Sequence, residues 1–109
     1  MSEPMKHPGD ILMEKWLQPR EITQYRLAKQ LHTETRRINE VIDGLRSISP
    51  EMALRLALFF ENDPRYWLEL QLRYDLTVAA RKHGAKLKRE IRPWSKIKPP
   101  DAPDPDAAT

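Results

Sequence analysis

The stretch TQYRLAKQLHTETRRINEVIDGLR, residues 23–46, decides the fold. Thr23 is a good N-cap, and Leu27, Ala28 and Leu31 follow on one face at i, i+1 and i+4. A tight break at His32-Thr33 leads into a second helical run from about Glu34 to Asp43, which Gly44 closes as a left-handed C-cap. Two helices of about nine and ten residues, joined by a turn of two or three, have the proportions of a helix-turn-helix. The second helix of such a unit enters the major groove of DNA.

At roughly 100° per residue, Val41, Ile42 and Leu45 fall within about 60° of Ile38 and make a narrow apolar stripe. Arg36, Glu40 and Asp43 lie opposite, with Arg37 and Asn39 on the flanks. That outer face carries groups able to donate to or accept from base edges. An ordinary solvated face has the same composition, and the two acids do not favour phosphate contact. Glu40 could accept from a cytosine amino group or pair with Arg36 at i, i+4.

Punctuation places three more helices around this pair. Pro8 at a first helical position, then Asp10, Ile11, Leu12, Trp16 and Leu17, predict a helix that Pro19 stops. Ser49-Pro50-Glu51 starts a fourth, carrying Met52, Ala53, Leu56, Ala57, Phe59 and Phe60. Asn62-Asp63-Pro64 ends it and caps a fifth, expected to reach about His83 with Gly84 beyond. The expectation is an all-α, five-helix domain over residues 7–83 and a disordered tail over 84–109, first basic and then Pro/Asp-rich. Trp16, Phe60 and Trp67 sit on periodic apolar stripes and are expected in the core.

The fifth helix is apolar on two sides. Trp67, Leu70, Tyr74 and Val78 form one stripe; Leu68, Leu72, Leu76 and Ala79 form another about 100° round. In so small a domain the second stripe needs a covering surface. We read one stripe as core and the other as a homodimer seam, with the tail folding back as the alternative cover. A two-fold dimer sets its reader helices about 34 Å apart, one turn of DNA.

Composition narrows the function classes. The 109 residues fit one domain, 39% hydrophobic and 32% charged, with a mean hydropathy of −0.73. The absence of cysteine excludes a disulfide framework, a zinc–thiolate site and a thiol nucleophile. Neither GxGxxG nor GxxxxGK[ST] occurs, and His7, His32 and His83 form no metal-ligand pair, so no cofactor or metal is expected. No Ser/His/Asp or paired-carboxylate constellation emerges, so neither catalysis nor a small-molecule substrate is expected. No apolar run approaches the roughly 18 residues of a membrane span, and MSEPMKHPGD lacks the apolar core of a signal peptide. A cytoplasmic protein without membrane contact is the simplest expectation.

The net charge of +3 is unevenly spread. Residues 1–80 hold 11 Lys and Arg against 12 Asp and Glu; residues 81–98 hold 8 against 1; residues 99–109 hold none against 3. The basic arm could neutralise DNA phosphates, bind a partner protein, or merely solubilise. Trp94 is hard to explain in a solvated tail. A partner contact with Trp94 and Ile97 as anchors is therefore favoured.

Five blocks, HPGDIL at 7–12, LAKQLH at 27–32, RRINEVIDGLRSIS at 36–49, MALRLALFF at 52–60 and PRYWLELQLRYDL at 64–76, resemble the HigA-type antitoxins of bacterial addiction modules. That family lies within the phage-repressor (XRE-like, lambda-repressor-like) helix-turn-helix class. The resemblance covers residues 7–80 in unbroken order, and the leading HPG, the ISxxMALRLA segment and the WLxLQxxYDL segment are particular to this branch. It implies that Gln24, at the start of the first motif helix, contacts phosphate and braces the reader helix. It places Thr35 and Arg36 at base edges, with Arg37, Asn39 and Glu40 further along, and Arg46 on phosphate after the closing glycine. Arg20, Arg26 and Lys29 suit flanking phosphates on physical grounds. The sequence departs from the class in the turn, where His32-Thr33-Glu34 stands in place of the usual Gly-Val-Ser.

The resemblance implies a two-part function: neutralising a co-encoded HigB-type toxin, expected to be a RelE-like ribosome-dependent mRNA endonuclease, and repressing the shared promoter through operator double-stranded DNA. The alternatives are a stand-alone repressor without a toxin, and an interaction module whose DNA face has decayed.

Overall fold

The computed structural model describes residues 6–97, which divide between Val78 and Ala79 into two compact units. All regular structure among the described residues is helical. No helix among them is long and apolar enough to cross a membrane.

In the first unit, α1 (Pro8–Ile11) is capped by His7, whose Nδ1 accepts the Gly9 N–H at 2.9 Å. The chain then winds as a π-helical segment (Leu12–Leu17) and a 3₁₀ turn (Gln18–Arg20) instead of one continuous α-helix to Pro19. The wider winding brings residues five apart to the same side, and Leu12 and Leu17 are both fully buried. Thr23 caps α2 (Gln24–Leu31) by accepting the Arg26 N–H at 3.1 Å. His32, left-handed at φ 55°, ends that helix, and the Thr33 N–H returns to the Ala28 carbonyl. The second motif helix, α3 (Thr35–Ile42), follows, closed by Gly44 at φ 77°. Ser49 caps α4 (Pro50–Phe60), and Asp63 accepts the Arg65 N–H at the start of α5 (Pro64–Glu90).

The core is Leu12, Leu17, Leu27, Ile38, Val41, Met52, Leu56 and Trp67, completed by Leu31, Ile48 and three alanines. Trp67 is fully buried in it, and its indole N–H donates to the Asn62 side-chain oxygen Oδ1 at 3.0 Å. Trp16 and Phe60, expected inside, are half-buried at the edge, their rings 5.2 and 5.8 Å from that of Trp67. The Arg20 guanidinium closes the cluster 4.8 Å above Trp16. Leu45 departs from the expected stripe and is 77% exposed, because α3 stops at Ile42 and helical angles no longer hold beyond it.

The second unit contains the C-terminal part of α5 and a short α6 (Trp94–Ile97). The expected end at His83, and with it the boundary at residue 83, falls inside a helix that continues through Gly84 to Glu90. One interior glycine costs about 1 kcal/mol relative to alanine, and the strong helix formers around Gly84 outweigh it. Arg92, restricted by Pro93, makes the stop. No residue described in this unit is buried. The expected Pro/Asp-rich end lies outside the described residues.

Candidate nucleic-acid interface

The N-terminal ends of α2 and α3 meet at a cleft of about 680 Å³ whose lining includes Gln24, Tyr25, Thr35 and Asn39. Gln24 is the first residue of α2 and Thr35 the first of α3; Asn39 stands one turn on from Thr35. Three of the expected contact residues therefore line one shallow, open depression. An Asn side chain can bond adenine at two points in the major groove, and a Gln at a helix start can reach phosphate beside free backbone N–H groups. Tyr25, mostly exposed in the same cleft, was missed from the sequence. Its signal was an aromatic residue beside Gln24 off the apolar face of α2.

Beside the cleft runs a chain of three charges. Glu40 accepts from Arg46 Nε at 3.2 Å and Nη2 at 2.9 Å, and lies 3.8 Å from Arg36 Nε. The Arg46 hydrogen bond, ahead of the two guanidinium charges, holds the Glu40 carboxyl below its ordinary pKa. Glu40 is thus already occupied by two arginines and orients them, so the pairing alternative fits better than a free acceptor for cytosine. Arg36 remains 80% exposed in its side chain and is available to a guanine edge.

Arg37 is not brought to this surface. Its guanidinium donates to Thr33 Oγ1 at 3.2 Å and to Glu51 Oε1 at 2.9 Å, tying the turn to the first turn of α4. Glu51 also receives Arg55, which donates to the Leu31 carbonyl at 2.6 Å and to that of His32 at 3.2 Å. Those carbonyls close α2, so the Glu51 pair of arginines secures the turn that sets α3 against α2. Among the flanking cations, Arg20 is taken up by Trp16 and backbone carbonyls, Lys29 lies 5.5 Å over Tyr25, and Arg26 is exposed. Trp94 and Ile97, in the second unit, are 46% and 52% exposed on α6. No group of three or more metal-ligating side chains occurs among the described residues.

No protein-family model matches the chain. Virulence-associated protein I of Dichelobacter nodosus is 43% identical over 76 residues, covering 70% of this chain and 70% of that protein. An addiction module antidote protein of a HigA family from Coxiella burnetii superposes with a TM-score of 0.79 at 40% identity, over 84% of this chain and 99% of its own. The Pseudomonas aeruginosa antitoxin HigA, solved with the higBA promoter, gives a TM-score of 0.80 at 33% identity, over 84% and 98%.

Proposed function

The chain belongs to the HigA family of helix-turn-helix antitoxins, and from that premise we propose that it binds operator DNA as a homodimer and neutralises a co-encoded HigB-type toxin. The observation that carries the DNA half is the shared cleft of Gln24, Thr35 and Asn39, flanked by an exposed Arg36. The solved Pseudomonas relative, bound to promoter DNA, supports the same assignment. In this reading Gln24 and Arg46 meet phosphate, while Thr35, Arg36 and Asn39 meet base edges. Arg37 and Glu40 act by holding the turn and the neighbouring arginines.

The dimer half rests on α5. Leu72 and Leu76 stand 55% and 61% exposed, which suits the second apolar stripe as the seam, while Trp67 of the first is in the core. Trp94 and Ile97 are the proposed anchors for the toxin. The chain itself is read as a cytoplasmic, non-enzymatic binding protein. Co-expression with the small reading frame beside its gene tests the proposal by growth. Arrest by the neighbour alone, relieved by this chain, is the expected result. A harmless neighbour, or a toxic one that this chain does not rescue, would overturn the antitoxin reading and leave a dimeric repressor.

A further inference from the structure

We propose that His7 and Gly9, which lie away from the cleft, are positioning residues for operator readout: they lock the first turn of α1 against the C-terminal end of the reader helix. The proposal rests on the DNA-binding reading and adds how α3 is held in register.

Gly9 is buried where two backbones touch. A Cβ built on it would lie 2.0 Å from the Val41 carbonyl oxygen, 2.8 Å from the Val41 carbonyl carbon and 2.9 Å from Ile42 Cα. These are backbone atoms of the last turn of α3, which no rotamer change can move aside. His7 joins three elements at the same point. Its Nδ1 caps α1 through the Gly9 N–H, and its ring stands edge-on to Tyr74 of α5 with centroids 4.8 Å apart. The ring also lies 3.7 Å from where a Cβ on Gly44 would sit. Gly44 ends α3 in the left-handed region, so the ring covers the helix exit itself.

A second fastening lies four residues on. The buried Gln71 accepts the Ile48 N–H at 2.8 Å through its side-chain oxygen and donates to Asp75 at 3.0 Å. The link from α3 to α4 is therefore held at Gly44 by His7 and at Ile48 by Gln71. By contrast, the start of α3 has no side-chain cap, although α2 and α4 both do. The reader helix is thus fixed through its core face, its exit and the Arg37 tie to Thr33 and Glu51, while its first backbone N–H groups have no capping side chain. Two-point bonds to base edges tolerate little displacement, whereas phosphate contacts tolerate more. Loosening the exit should cost sequence discrimination before it costs general DNA affinity.

The test compares wild type, H7A, H7N and G9A on DNA from upstream of the chain's own reading frame and on a scrambled duplex of equal composition. Melting curves establish that each protein is folded at the assay temperature. The expected result for folded H7A is a loss of about tenfold in preference for the upstream DNA, with scrambled-duplex affinity unchanged. H7N, whose amide oxygen can accept the Gly9 N–H, should recover part of that preference. An unchanged preference in folded H7A, or equal losses on both duplexes, overturns the proposal. Amide exchange on wild type and H7A separates it from the parent reading. If wild type shows no preference at all, DNA readout fails as a function, yet the lock still requires faster exchange at Asp43 to Arg46. Unchanged protection there overturns the lock by itself.

Discussion

In the first unit the arginines around α3 and α4 meet carboxylates: Arg36 and Arg46 on Glu40, Arg37 and Arg55 on Glu51. In the second, Lys86 and Glu90, 3.9 Å apart, are the sole ion pair among the described residues, although Arg81, Lys82, Lys88, Arg89, Arg92 and Lys96 share the segment. The same residue types thus serve two ends. Where charges are matched they fix geometry, tying a turn or orienting a neighbour; where they are unmatched they act at a distance on whatever carries the opposite sign. The apolar residues differ too: the first unit buries a cluster around Trp67 while leaving Leu58, Leu72 and Leu76 exposed, and every apolar residue described in the second is exposed.

The largest difference between the units should appear on truncating a tryptophan. Trp67→Ala removes a fully buried ring and its bond to Asn62, and should cost about 3–5 kcal/mol in denaturant unfolding. Trp94→Ala removes a half-exposed ring and should change stability by less than about 0.5 kcal/mol. A large loss from Trp94→Ala would show that the second unit shares the cooperative core and would erase the distinction.

Acid should distinguish the units next. Burial pushes His7 below its ordinary value of 6.5, against the opposing pull of Asp10 and Asp75. Between the folded and unfolded values the unfolded chain binds the proton and the folded one resists it. The contribution from neutral His7 is therefore intact above about pH 6.5 and is lost as the pH falls through the folded value. The melting temperature should drop over that window in wild type, and H7N should lack that component of the drop. Equal pH profiles would mean that His7 keeps its cap when protonated, which Nδ1 as an acceptor does not allow.

The legibility of the sequence follows the same division. Thr23, Ser49 and Gly44 announce the helix ends because capping is local chemistry, readable from a few adjacent residues. The core face of α3 was readable at Ile38 and Val41 because periodicity holds inside a helix, and it failed at Leu45 because the helix had ended. Arg37 and Glu40 were placed on the outer face by angle alone. Their partners, Glu51 and Arg46, come from beyond the helix, and tertiary ion pairs leave no periodic trace. Gly9 stood out only as part of a motif; the backbone it meets lies about thirty residues further along the chain. In the second unit the charge excess was plain, while the helix through Gly84 was hidden by treating a glycine as a stop rather than a cost of about 1 kcal/mol.

The smallest expected effect concerns how the two sets of charges act on DNA. If the Arg36 guanidinium beside Glu40 reads a base edge as proposed, Arg36→Ala should cost about 1–3 kcal/mol on the operator and relax the preference at one base pair. A charge in the second unit has no such orientation. If Lys82 or Arg89 meets phosphate, replacing it by Gln should weaken operator and scrambled DNA alike. The slope of log affinity against log salt should fall by about 0.9 for each contact removed. Lys82→Gln and Arg89→Gln together test this with no buried residue disturbed. An unchanged slope would take the second unit off the DNA and leave its cations, with Trp94 and Ile97, to a protein partner. A changed slope with an unchanged base preference would show recognition and general attraction residing in different stretches of one short chain.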